Sequence, residues 1–144
     1  MEIKHITEDY AVSAQIQPVD MQALADAGFK MVINNRPDSE ISGDLQSDAM
    51  RAAADAAGLS YVSNPVINGG LTQDMVENHA AAIRAANGPV FAYCRSGTRS
   101  SIVWALGQAG TRPTADIIAA LANAGYQVPG LDAQIEAIAA AKGT

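Results

Sequence analysis

Short apolar runs along this chain alternate with longer stretches in which apolar residues recur at helical spacing. Residues 10–16 read as a strand, and residues 19–27 as a helix closed by Gly28. Residues 29–34 form a short buried strand that ends in the turn-rich Asn35-Arg36-Pro37-Asp38. A second helix spans 45–57 and stops at Gly58; the next strand, 59–66, runs into Asn68-Gly69-Gly70. Thr72 fits the N-cap of a third helix that reaches residue 86 and is stopped by Asn87-Gly88-Pro89. Residues 90–93 are an apolar strand leading directly into Cys94. Beyond it come helices over 101–108, with Ile102, Val103, Ala105 and Leu106 on the buried side, then over 113–124 and 131–141.

This order predicts an α/β fold with a mainly parallel central sheet flanked by helices, in a single domain over residues 1–144. Ligands of such sheets sit beyond the carboxyl ends of the strands. Arg36, Asn68 and Cys94 all fall there, so the pattern allows them to share one cleft.

Composition narrows the function classes. A hydrophobic share of 49% with 17% charged residues fits a packed core and excludes disorder. The formal net charge of −6 argues against nucleic acid or an anionic membrane surface as a partner. No apolar stretch approaches the roughly 18 residues of a membrane span. The opening Met1-Glu2-Ile3-Lys4-His5 lacks the layout of a secretory signal, so a cytoplasmic address is expected. Against the acidic background, Arg95 and Arg99 lie close together and point to a small anionic ligand. Cys94 has no second cysteine, which excludes an internal disulfide and a Cys-rich metal site.

The strongest chemical signal is Val90-Phe91-Ala92-Tyr93-Cys94-Arg95-Ser96-Gly97-Thr98-Arg99-Ser100-Ser101, a strand, a tight turn and a helix start. Thiolate is the reactive form of cysteine, and a helix N-terminus with a nearby arginine favours it. Small residues at Ser96, Gly97 and Thr98 let successive N–H groups curl around an anion. Arg99 offers a two-pronged grip on an oxyanion, Arg95 a further contact, and Ser100 a hydrogen bond to the sulfur. A plain buried cysteine is the alternative, but two arginines, a glycine and hydroxyl residues fit a core poorly.

The loop resembles those of the protein tyrosine and dual-specificity phosphatases, His-Cys-x5-Arg-Ser/Thr, and of the rhodanese-type sulfurtransferases, commonly Cys-x4-Arg. Over nearly its whole length the chain is most similar to the phosphatase-like domain of bacterial beta-lactamase hydrolase-like proteins. The resemblance rests on Gln15-Ile16-Gln17-Pro18, Ile33-Asn34-Asn35-Arg36-Pro37-Asp38, Asn64-Pro65-Val66 and the stretch from Gly88 to Ser100. It implies a tyrosine-phosphatase-like fold. Fusion of some members to persulfide-dioxygenase-like metalloenzymes implies sulfur metabolism and a possible persulfide dioxygenase partner. No cofactor is implied.

Departures from the phosphatase pattern rank the activities. Only Arg95, Ser96, Gly97 and Thr98 separate Cys94 from Arg99, and a shorter loop should close a smaller ring of amide donors. Phosphatases of this type need an acid to protonate the leaving alcohol, and here Asn68 follows Pro65-Val66-Ile67 where compact members carry Asp. Asp74 is the substitute candidate, although it also suits the first turn of its helix. Tyr93 stands where phosphatases have histidine. The expectation is therefore sulfur transfer: Cys94 takes sulfane sulfur from thiosulfate or a persulfide and passes it to a thiol acceptor. A Cys94-dependent phosphatase is the alternative, and a non-catalytic anion or persulfide sensor is the second.

Arg36 either holds an anionic ligand or pairs with Asp38 or Glu40. His5 and His79 lie far apart without a second ligand at metal spacing, so no metal site is expected, and His79 reads as a packing residue.

Overall fold

The computed structural model describes residues 1–142. The five strands are β1 (Lys4–His5), β2 (Tyr10–Ser13), β3 (Met31–Asn34), β4 (Ser60–Ser63) and β5 (Val90–Tyr93). They form one sheet in the order β1-β2-β5-β3-β4, parallel throughout except for β1. The helices are α1 (Asp20–Asp26), α2 (Ser47–Ala56), α3 (Gln73–Ala85), α4 (Thr98–Gly107), α5 (Thr114–Asn123) and α6 (Leu131–Lys142). A mainly parallel sheet with helices on both faces is the fold class the pattern predicts.

Strand periodicity divides the core in two. Val90 and Ala92 of β5 pack with Val12, Ile33, Val103, Ile117 and Ile135 on the side of α3 to α6. Phe91 and Tyr93 point the other way, into a cluster with Met21, Leu24, Met50 and Ala54 from α1 and α2. All of β5 is buried, which is why it reads as an unbroken apolar run rather than an alternating one.

Three differences from the sequence reading bear on the site. First, α4 begins at Thr98, earlier than expected, because Gly97 adopts φ +92° and its carbonyl accepts the Ser101 N–H at 3.0 Å. Second, the turn-rich segment after β3 holds two 3-10 turns, Asp38–Glu40 and Gly43–Leu45, with Asp38 Oδ1 accepting both the Ser47 N–H and hydroxyl at 2.8 Å. Third, β4 is shorter than expected, since only Ser60–Ser63 keep ladder geometry. The Thr72 cap forms as expected, accepting from Met75 N–H at 3.3 Å.

The register sets the cleft. Ser13 and Asn34 both pair with Tyr93, so β2, β3 and β5 end at the same level. Gln15, Arg36 and Cys94 leave the sheet there.

Candidate active site

Cys94 is buried at the base of its loop, and the Gly97 N–H donates to its Sγ at 3.1 Å. Three carbonyl groups of the loop are taken by donors other than the sulfur. Arg95 O accepts from Gln15 N–H at 3.3 Å, Ser96 O from the Tyr126 hydroxyl at 3.2 Å, and Gly97 O from Ser101 N–H and Oγ at 3.0 and 2.8 Å. In a planar trans peptide C=O and N–H are antiparallel, so outward carbonyls turn the amides of Ser96, Gly97 and Thr98 inward. The amides of Thr98, Arg99 and Ser100 open α4 and have no acceptor within the helix. The result is a nest of N–H donors around the sulfur.

Arg99 forms one wall. Its Nη1 and Nη2 donate to Glu40 Oε2 and Oε1, both at 2.8 Å, and Nη1 also donates to Val66 O at 2.8 Å. A guanidinium has five N–H donors. Those three bonds leave Nε–H and the second proton of Nη2, the two that form its side-on fork, for the side of the Cys94 sulfur, with which Arg99 also makes a side-chain hydrogen bond. That fork suits two oxygens of one oxyanion. Glu40 raises the Arg99 pKa, burial opposes this, and the neighbouring Cys94 sulfur adds to the rise. In return the hydrogen bond from Arg99 holds the Glu40 carboxyl below its ordinary range, with Arg36 adding to the effect.

The remaining candidates fall into place unevenly. Arg36 donates to Glu40 Oε1 at 3.3 Å, to Glu40 O at 3.2 Å and to Gln15 Oε1 at 3.3 Å, so it is a second ion-pair partner of Glu40. Arg95 is exposed on the loop, and Ser96 Oγ donates to Thr98 Oγ1 at 3.1 Å. Ser100 does not donate to the sulfur. Its hydroxyl is buried behind the loop and donates to Asn35 Oδ1 at 2.8 Å. Asp74 is exposed in the first turn of α3. Its neighbours Thr72 and Gln73 line a cavity of about 600 Å3 that also meets Asn68 and Arg99, whereas Asp74 is not in that wall.

Behind the loop runs a closed polar circuit. Asn35 Nδ2 donates to His79 Nδ1 at 3.3 Å, which leaves the proton on Nε2 to meet the Tyr10 oxygen at 2.9 Å. Tyr10 in turn donates to Ser100 O at 2.8 Å. Burial pushes the His79 pKa down to about 3, so the ring is neutral. His79 is the packing residue the sequence suggests, with both nitrogens engaged. Tyr93, at the histidine position of phosphatases, faces the α1–α2 side and shares a 3.1 Å hydrogen bond with Tyr61.

Sequence reasoning passed over Glu40, Gln15, Asn35, Ser101 and Tyr126 as site residues. Ser101 carries a local signal, a serine four residues after Gly97 whose hydroxyl can bond back to that carbonyl. Gln15, Asn35 and Tyr126 act across long separations and carry no local signature, and Glu40 shows only its i,i+4 pairing with Arg36, not its hold on Arg99.

Residues 2–111 match the family described as beta-lactamase hydrolase-like protein, phosphatase-like domain. This chain belongs to that family. It is 35% identical over 109 residues to the beta-lactamase hydrolase-like protein of Agrobacterium fabrum, covering 76% of this chain and 25% of that protein. The chain thus spans about a quarter of the length of the curated relatives it matches. The crystal structure of a candidate phosphatase from Neisseria meningitidis superposes with TM-score 0.82 at 28% identity, covering 96% of this chain and 99% of that one. The structure of PTPMT1, with TM-score 0.73 at 17% identity and 99% of both chains covered, shares the fold.

The expected sulfur transfer from thiosulfate or a persulfide to a thiol is overturned by these findings, since the family and its related structure are phosphatase-like. The four residues between Cys94 and Arg99 do not by themselves set the number of donors, because helix amides also face an anion there and α4 starts at Thr98. No helix among the described residues is long and apolar enough to cross a membrane.

Proposed function

We propose that this chain hydrolyses phosphate monoesters through a phosphocysteine on Cys94. The observation that carries the reading is the side-on edge of Arg99, not used by Glu40, beside the Cys94 sulfur and the Gly97 N–H. Phosphoryl transfer needs little besides positioning and compensation of charge on the equatorial oxygens. The amides from Ser96 to Ser100 and the Arg99 fork supply both.

In the first step the Cys94 thiolate attacks phosphorus in line. An S–P bond forms, the ester P–O bond breaks, and the leaving oxygen takes the electron pair. In the second, water attacks the same phosphorus, the S–P bond breaks, and orthophosphate leaves with Cys94 restored as thiolate. Asn68 cannot protonate a leaving alkoxide, so the reading favours esters whose leaving group is already a stable anion. Membership of the phosphatase-like family supports the same chemistry.

The test is hydrolysis of p-nitrophenyl phosphate by wild type and Cys94→Ser. The expected result is saturable turnover by wild type, loss in the variant, and a phosphorylated Cys94 peptide after rapid acid quench. No turnover of any aryl phosphate and no phosphopeptide would overturn the proposal.

A further inference from the structure

The outward carbonyls of the loop are not held equally. Arg95 O is taken by a main-chain N–H, and Gly97 O by the main chain and side chain of Ser101 in the loop's own helix. Among the described residues Ser96 O has a single donor, the hydroxyl of Tyr126, which reaches it from the segment between α5 and α6. Tyr126 lies beyond residues 2–111, the part of the chain matched by the family.

The Ser96–Gly97 peptide is also the one most able to turn over. Gly97 has no side chain and sits at φ +92°, so rotation of the peptide plane meets no Cβ. Because the plane is rigid, Ser96 O and Gly97 N–H would exchange places together. The turned peptide would aim a carbonyl oxygen at the Cys94 sulfur and at any bound anion, in place of the N–H now 3.1 Å from Sγ.

We infer that the Tyr126 hydroxyl is a positioning group that selects the anion-binding orientation of the Ser96–Gly97 peptide. It does so by holding Ser96 O outward. The fit is close: a Cβ built on Gly97 would run into the Tyr126 hydroxyl oxygen. Beside it, Lys4 Nζ lies 5.0 Å from the centre of the Tyr126 ring, a contact that steadies the ring without involving the hydroxyl. This inference deepens the proposed function and rests on its reading of the loop as an oxyanion cradle.

Tungstate, a tetrahedral oxyanion, tests it without requiring catalysis. Tyr126→Phe keeps the ring and removes only the hydroxyl. The expected result is about fivefold weaker tungstate binding by the intact chain, the order of one ordinary hydrogen bond, with the melting temperature little changed. With p-nitrophenyl phosphate the same variant should lose kcat as well as affinity, because the amide is needed more as charge develops. Lys4→Ala, which leaves the hydroxyl in place, should bind tungstate like wild type. Wild-type affinity in Tyr126→Phe, whatever its stability, overturns the inference. So does an equal loss in Lys4→Ala, which would assign the effect to ring packing. If wild type binds tungstate but hydrolyses no aryl phosphate, the proposed activity fails while the role of Tyr126 is still decided by the binding comparison.

Discussion

Glu40 meets Arg99 end-on, with both carboxylate oxygens 2.8 Å from the two terminal guanidinium nitrogens. This pairing uses one edge of the guanidinium and leaves the other turned to the loop. Arg36 approaches the same carboxylate at 3.3 Å, so the local balance stays positive despite the acidic chain.

Replacing Glu40 by Gln keeps the shape but removes the charge-assisted hold on Arg99. Activity in kcat/KM on p-nitrophenyl phosphate should fall about tenfold, the scale of one charge-assisted hydrogen bond. Arg36 holds the same carboxylate at the longer distance of 3.3 Å, so Arg36→Ala should cost less. Steady-state kinetics of the two variants check the order; an Arg36→Ala loss larger than that of Glu40→Gln contradicts it.

Leaving-group dependence should be steep. With Asn68 where an acid is needed, alkyl phosphates should turn over roughly 100- to 10,000-fold more slowly than p-nitrophenyl phosphate. Asn68→Asp should raise the alkyl rate, since Asn68 and Arg99 line the same cavity. Asp74→Asn, altering an exposed carboxyl outside that wall, should leave aryl phosphate turnover within about twofold. A large loss on Asp74→Asn would identify it as the acid after all.

His79 makes stability depend on pH. Its folded pKa of about 3 lies below the ordinary 6.5, so the unfolded chain binds the proton more readily. The contribution is complete above about pH 6.5 and is lost as pH falls toward 3. Between pH 7 and 5 the loss attributable to His79 should be about 2 kcal/mol, from 1.36 kcal/mol per unit over the interval below 6.5. Urea unfolding at both pH values measures it, and His79→Gln should flatten the difference.

Ser100→Ala should act on stability as well as on turnover. It strands Asn35 Oδ1 in a buried site, which costs about 1–3 kcal/mol. Thermal denaturation reads the first effect. Ser100→Thr, which keeps a hydroxyl, should recover part of it.

The sequence discloses what depends on near neighbours. The β5–loop–α4 unit is visible because an apolar run, a cysteine, small residues and an arginine follow one another within a few positions. The strands alternate with helices at spacings that leave little choice of fold class. The grip on Arg99 is not visible, because Glu40 lies 59 residues away in a turn with no strong pattern. Tyr126 and Asn35 are hidden for the same reason. Activity is not legible from the residues between Cys94 and Arg99 taken as a string. The loop's donors are set by where helix α4 starts, and one glycine dihedral moved that start.

Strand β5 lies between β2 and β3 although it is the last strand in the chain. Until residues 90–93 have been synthesised, the earlier strands can make only two separate pairs with an open seam between them. Cys94 follows that closing strand directly, so the sulfur reaches its amides only once the seam is shut, and a chain stalled earlier carries no nucleophile.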